Sequence, residues 1–255
     1  MAKIALTREV SASIAHCELT HQTRVPIDLA AARAQHAAYE RALADAGYRI
    51  VRLPATDEMP DSVFIEDVAL VVDELGVMTR PGVESRRVEI AAVEDALRPY
   101  RRLAAIEPPG TLDGGDVMKI GTRLFVGVST RTNREGIEQL RQLLTPYGYT
   151  VDAVTISGVL HLKSAVTAAS DEVVVVNPRW VPRGVFDGYE QVEVDAREPM
   201  AANVLRLADR LIVASAFPRT AERLAARGFR LATVDASELA KAEGAVTCCS
   251  VIVDG

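Results

Sequence analysis

Short apolar runs and polar or ionisable clusters follow one another along this chain in a recurring order. Four segments open on a polar cluster and run into a strand-like apolar stretch: Glu66-Asp67-Val68-Ala69-Leu70, Gly115-Asp116-Val117-Met118, His161-Leu162-Lys163-Ser164-Ala165 and Thr247-Cys248-Cys249-Ser250-Val251. From Asp67 to Asp116 is 49 residues, from Asp116 to His161 is 45, and from there to Cys248 is 87, about two further periods with Ala201-Ala202-Asn203-Val204 between them. A fixed period of this length is the mark of a repeat architecture.

Each period reads alike. Two apolar runs around a turn make a hairpin, as in Asp67 to Val72 with Gly76 to Thr79, or Val117 to Ile120 with Leu124 to Val128. A helix comes next. From Asn133 to Gly148 the residues Ile137, Leu140, Leu143 and Leu144 fall at helical spacing, with Thr132 or Asn133 as N-cap and Gly148 as terminator, and Thr220 to Gly228 behaves likewise around Leu224. A third short strand ends the unit, for example Tyr149 to Ile156 or Phe229 to Val234. The fifth unit has to be joined from both chain ends: Ser250 to Val253 with Lys3 to Thr7, the helix Leu29 to Ala46, then Tyr48 to Leu53. Such a ring is expected to leave no sheet edge exposed. An open, doubly wound α/β sheet is the alternative, but it expects single strands between helices, whereas here hairpins precede them. In a ring the strand entrances converge at one end, and with them the carboxylates, the histidine and the cysteines.

Composition narrows the setting. The 255 residues carry no Pro/Gly-rich linker, so one domain over 1–255 is expected. Apolar runs fall short of the roughly 20 residues of a membrane span, and Met1-Ala2-Lys3-Ile4 leads straight into a strand without a signal-peptide pattern. Three cysteines, two of them adjacent, make no disulfide framework and point to a reducing cytosol. The net charge of -6 argues against nucleic acid and, focused in a cleft, favours a small cationic ligand.

Asp61, Glu66, Asp67, Asp113 and Asp116 lie in two turn-rich segments. Singly, each reads as a solvated turn residue. Brought to one mouth they repel unless a cation sits among them, and a planar guanidinium takes paired carboxylates bidentately. A divalent metal is the competing guest, but calcium or magnesium wants a denser oxygen cage, and zinc a CxxC-type spacing that is absent. Cys248 and Cys249, read as adjacent strand residues, point to opposite faces, so one of them enters the site and alternation does not say which. A strand cysteine or a lone histidine is usually structural. Paired at equivalent repeat positions, cysteine and His161 supply a nucleophile with a proton acceptor.

Phe64-Ile65-Glu66-Asp67-Val68, Thr79-Arg80-Pro81-Gly82 with Ser85-Arg86-Arg87, Leu112-Asp113-Gly114-Gly115-Asp116-Val117, Ser129-Thr130-Arg131-Thr132-Asn133, Gly158 to Ser164 and Gly244 to Val251 together resemble the dimethylarginine dimethylaminohydrolase family, in order and across essentially the whole chain. The resemblance implies the pentein fold, a five-bladed α/β propeller of ββαβ modules with pseudo-fivefold symmetry. It makes Cys248 the nucleophile, His161 the general acid and base, and Asp113 the residue that orients His161. Glu66 and Asp67 would line the guanidinium pocket, Asp61 and the backbone of Leu19 would hold the substrate α-amino group, Arg86 and Arg131 would clamp its α-carboxylate, and the Ala242 carbonyl would add a contact. Read without the family, both arginines are solvated, helix-flanking charges. Val10 to Pro26 is a long irregular stretch of the kind that forms a lid. No cofactor or resident metal is implied. The expected reaction is hydrolysis of Nω-methylated arginine to citrulline and methylamine or dimethylamine, with arginine deimination, amidino transfer or non-catalytic arginine binding as the alternatives, a small cationic substrate as partner, and a homodimer as an open option.

Overall fold

Both chain ends meet in one sheet. The computed structural model describes residues 3–254, so Met1 and Ala2 of the expected run into the first strand, and Gly255, lie outside it. Val251–Val253 pairs antiparallel with Ile4–Arg8 in the register Ile4 to Val253 and Leu6 to Val251, and Ile4–Arg8 pairs parallel with Arg49–Leu53. Four further units repeat this plan. They are Ala69–Val71, Leu75–Met78 and Arg102–Ala105; Val117–Ile120, Arg123–Val128 and Thr150–Thr155; Val166–Ala168, Val173–Val176 and Glu190–Glu193; and Leu205–Leu207, Arg210–Ala214 and Leu231–Val234. In each unit the first two strands are antiparallel and the last two parallel.

A parallel pair needs a crossover. Four units supply it as a helix: Leu29–Asp45, Ile90–Leu97, Arg134–Leu144 and Pro218–Ala225. Local chemistry sets their limits. Asp28 accepts N–H bonds from Ala30 and Ala31, Asn133 accepts one from Gly136, and Gly47, Gly148 and Gly228 take the left-handed conformation just past the helix ends. The helix expected in every unit is missing from one. Residues 177–189, between Val173–Val176 and Glu190–Glu193, are turns and irregular backbone without a helix, because Pro178, Pro182, Gly184 and Gly188 interrupt any helical ladder.

Two further expectations are corrected. The five sheets are separate, so each keeps its edges, and the ring closes by packing of units against one another, not by a continuous hydrogen-bond ladder. The polar clusters at the strand entrances are not strand residues either. Glu66 and Asp67 lie in the single turn Ile65–Val68, Asp116 in Gly114–Asp116, Lys163 and Ser164 in Leu162–Ala165, and Cys248 and Cys249 in a turn ahead of Val251–Val253. Each turn re-aims its side chains toward the ring axis, where the first strands of all five units line a common cavity.

Buried side-chain and backbone hydrogen bonds link these turns one to the next around that axis. The Gly115 N–H donates to Asp67 Oδ1 (3.0 Å) and the Leu162 N–H to Asp116 Oδ1 (3.0 Å). Asn203 Nδ2 donates to the Lys163 carbonyl (3.0 Å), while Asn203 Oδ1 accepts the Thr247 N–H (3.1 Å). The Glu66 N–H then donates to the Cys248 carbonyl (3.1 Å) and completes the circle. Each bond joins two units that are remote in sequence, so the circle fixes how the units are rotated about the axis. Asn203→Ala strands the buried Thr247 N–H and the part-buried Lys163 carbonyl, and the expected loss is about 2–4 kcal/mol of unfolding free energy, read from the urea midpoint. An unchanged midpoint would mean that packing alone sets the rotation.

Candidate active site

One end of the axis opens into a cavity walled by Glu66, Gly115, His161, Lys163, Asn203 and Cys248 at its floor, and by Met200, Phe217 and Ala240 farther out. Glu66 and Lys163 also line the axial cavity on the other side, so this pair partitions the axis. Lys163 Nζ donates to Glu66 Oε1, and the Thr247 hydroxyl donates to Glu66 Oε2 (2.8 Å). Burial pushes the Glu66 pKa up, and Lys163 and Thr247 offset this in part.

His161 is clasped by acids. Its Nε2 lies 3.1 Å from Asp113 Oδ2, and its Nδ1 lies 3.8 Å from Asp67 Oδ1, beyond hydrogen-bond reach. Gly115 is what lets the ring in, since a Cβ there would stand 2.5 Å from Nδ1. Asp113 is fully buried and is itself held by the Gly82 N–H at 2.9 Å. Burial works against the imidazolium, but the carboxylates of Asp67, Asp113 and Asp116 outweigh it and push the His161 pKa up to about 9. In return, against its own burial, the charges of His161 and Arg86 hold Asp67 down at about 2. Asp67, Asp113 and His161 bring one donor atom each within 4.8 Å of one another, a spacing that could take a metal ion. Their capacity is used within the protein, by Arg86, by the Gly82 and Gly115 N–H groups and by the imidazole.

Cys248 faces the same cavity as His161, whereas Cys249 turns into the core with its thiol 3.6 Å from the Ala245 carbonyl. The turn, not strand alternation, decides between them. Burial, with Glu66 and Asp67 nearby, pushes the Cys248 thiol up to about 12. Both shifts favour a neutral thiol beside an imidazolium.

The remaining residues singled out from sequence form a second tier beside this cavity. Leu19, Asp61, Asp67, Asp113, Arg86, Arg131 and Ala242 are not on its wall. Neither arginine is solvated: Arg86 is 4% and Arg131 7% exposed. Arg86 spends its donors on Asp67 (2.5 Å), on both Glu89 oxygens and on the Asp61 and Phe64 carbonyls. Arg131 donates to the Thr20 hydroxyl (3.0 Å) and lies 4.0 Å from Asp113. Asp61 accepts the Glu18 N–H at both oxygens (3.2 and 3.1 Å), and burial pushes its pKa up to about 6 against the pull of Arg86. Thr20 and Glu18 belong to the irregular stretch 9–28, which therefore lies over the residues proposed from sequence for an amino-acid head group. Sequence reasoning missed Lys163 and Asn203. Both stand in segments that the repeat had already marked, Lys163 two residues after His161 and Asn203 in the entrance of the remaining unit.

The chain is similar to known proteins along almost its whole length. A family model described as "Arginine deiminase" matches residues 98–198. The N(G),N(G)-dimethylarginine dimethylaminohydrolase of Streptomyces coelicolor is 42% identical over 255 aligned residues, covering 98% of this chain and 96% of the relative. That of Pseudomonas aeruginosa is 36% identical over 226 residues, 88% of this chain and 89% of the relative. A solved structure of the Pseudomonas aeruginosa protein, a cysteine-to-serine mutant complexed with citrulline, is similar with a TM-score of 0.95 at 34% identity, over 99% of this chain and 100% of that one. With five three-stranded units about an axis, four of them crossed over by a helix, and a cysteine, a histidine and acids at one end of it, the chain belongs to the dimethylarginine dimethylaminohydrolase family and carries the pentein fold.

Proposed function

We propose that the chain, as one catalytic domain, hydrolyses Nω-methylated arginines to citrulline and methylamine or dimethylamine, with Cys248 as nucleophile and His161 as general acid and base. The observation that carries this reading is the shared cavity of Cys248, His161 and Glu66, set in a fold whose relatives bear that name. A guanidinium is a poor electrophile, so holding it rigidly against sulfur is a large part of the task. Glu66 faces its nitrogens directly, and Asp67 adds negative charge from behind His161. Asp113 fixes the imidazole at Nε2. Asp61 and the Leu19 backbone receive the α-amino group, with the Ala242 carbonyl as a further contact. Arg131 clamps the α-carboxylate, and Arg86 joins it by releasing one of its present partners. The three cysteines are unpaired and buried, which suits a reducing cytosol, and among the described residues no helix is long and apolar enough to cross a membrane.

The steps follow from these positions. Cys248 sulfur bonds to the guanidinium carbon, the carbon–nitrogen bond to the methylated amine breaks, and His161 gives that amine its proton. A thiouronium stays on the enzyme. Neutral His161 then takes a proton from water, and the hydroxide adds to the same carbon. As the carbon–sulfur bond breaks, its electrons return to sulfur while the added hydroxyl's proton passes to the departing thiolate, releasing neutral citrulline and the Cys248 thiol. A thiol at about 12 beside a histidine at about 9 is the wrong protonation state for attack. A guanidinium about 4 Å from the sulfur supplies on the order of 4 kcal/mol at an effective dielectric near 20, or about three orders of magnitude in thiolate population. The substrate's own charge therefore generates the nucleophile. The arginine deiminase family match keeps deimination as the second reading.

Citrulline formation from asymmetric dimethylarginine, monomethylarginine and arginine tests the reaction. Turnover is expected with the methylated substrates, lost in Cys248→Ser and kept in Cys249→Ser, and preferential turnover of arginine would favour deimination. Thiolate absorbance tests the activation. Ligand-free protein at pH 7 is expected to show none, because His161 loses its proton near 9 before the thiol does, whereas a non-hydrolysable amidine should raise the signal and release a proton. A thiolate already present below pH 7 without ligand would contradict it. The two arginines are expected to separate. Arg131→Ala should raise KM with little change in unfolding free energy, while Arg86→Ala takes the shared cation from buried Asp67 and Glu89 and should cost about 3–5 kcal/mol of stability. Equal stability losses would place Arg131 in the framework instead of the clamp.

A further inference from the structure

The short helix Ser237–Ala240 ends where glycine is the usual residue, and this chain has a glutamate. The Gly244 N–H donates to the Leu239 carbonyl and the Glu243 N–H to the Ala240 carbonyl, both at 3.1 Å, which is the paired pattern of a Schellman helix end. That pattern needs a left-handed residue, and Glu243 supplies it at φ 58°, the one non-glycine residue with positive φ among those described. A side chain there is disfavoured relative to glycine. Such a residue persists where its surroundings over-determine it, and the surroundings point to its use.

The Glu243 carboxylate accepts three successive backbone N–H groups from the stretch 9–28: Thr20 at 2.9 Å, His21 at 2.5 Å and Gln22 at 2.6 Å. Glycine or asparagine would suit the backbone, but neither places two anionic oxygens under three converging donors. The stretch has little structure of its own, with one short turn at Ile14–His16 before the helix begins at Leu29. The anchor, by contrast, is fixed, because Gly244 packs so closely on Phe64 that a Cβ would collide with its ring. Gln22 and Glu243 both line the cavity that ends at Cys248.

We propose that Glu243 is the latch of a lid formed by residues 17–24, and so a positioning residue for the substrate. It acts through the lid, which carries the Leu19 backbone to the substrate head group. This role for Leu19 rests on the functional reading above, whereas the latch itself is a property of the ligand-free protein. Apparent affinity scales with the fraction of molecules whose lid is closed, so loss of the latch weakens binding and leaves the chemical step intact once substrate is held.

Hydrogen exchange on ligand-free Glu243→Ala and Glu243→Gly reads the latch without any substrate. Exchange at the Thr20 to Gln22 amides is expected to quicken by about tenfold or more in both variants. Glu243→Gly, relieved of the left-handed side chain, should melt above Glu243→Ala while its lid stays just as open. KM for asymmetric dimethylarginine should rise about tenfold with kcat within about twofold. Lid amides protected as in the wild type would overturn the proposal, and so would a lid that re-closes in Glu243→Gly as its melting temperature recovers, since the glutamate would then be merely structural. Altered exchange in a protein that turns over no methylarginine at all would leave the latch standing and sink the functional reading instead.

Discussion

The circle of hydrogen bonds around the ring axis is the constraint on which the site depends. Five short turns from distant parts of the chain meet there, and each offers backbone groups that no strand satisfies. Asp67, Asp116 and Asn203 satisfy them across the unit boundaries, and the Glu66 N–H and Cys248 carbonyl close the circuit. The net worth of one such bond is about 1 kcal/mol, but a buried group left unpaired costs more. A unit rotated or slipped about the axis would strand several groups at once. Because the catalytic candidates ride on the same turns, the orientation of the units and the geometry of Cys248, His161 and Asp113 are one problem with one solution. The antiparallel pairing of Val251–Val253 with Ile4–Arg8 is what brings the last turn to the first.

Charge balance follows from this crowding. Several acids at one mouth call for a cation, and from sequence alone the guest was expected to supply it. The protein supplies most of it. Lys163 serves Glu66, Arg86 serves Asp67 and Glu89, and a protonated His161 serves Asp113 and Asp67. An arriving guanidinium therefore enters a site whose carboxylates already have partners, and it binds well only where it meets a demand those partners leave open. The Cys248 sulfur is that demand. Burial beside Glu66 and Asp67 favours its protonated form, and an additional cation would favour its ionisation. On the proposed function, substrate recognition and nucleophile activation are then the same electrostatic event.

The fold was largely legible because a repeat repeats its errors and its successes alike. Once Val117 to Val128 reads as a hairpin and Asn133 to Gly148 as a capped helix, the other units follow by spacing, including the one spliced from both ends. The failures are local and have physical causes. The unit between Val173–Val176 and Glu190–Glu193 crosses over without a helix, because Pro178 and Pro182 break the ladder that the spacing predicts. The entrance residues read as strand because their apolar neighbours alternate, yet three- and four-residue turns have no period to detect. Asp116 looked like a member of the acidic mouth and is a junction, with Ser129 and Leu162 as its partners.

The site was legible in its types more than in its placements. Cysteine, histidine and acids at equivalent repeat positions announced a centre. Which cysteine enters it followed from a turn, and a turn follows from tertiary contacts such as Asn203 with Thr247. Glu243 shows the limit most plainly. In sequence it is one more glutamate before a glycine, and only the backbone reveals that it occupies a glycine position. Residues that serve chemistry directly tend to be rare types, which spacing can pick out. Residues that serve it by holding a segment in place are ordinary types in unusual conformations, and the backbone has to be seen before they can be recognised.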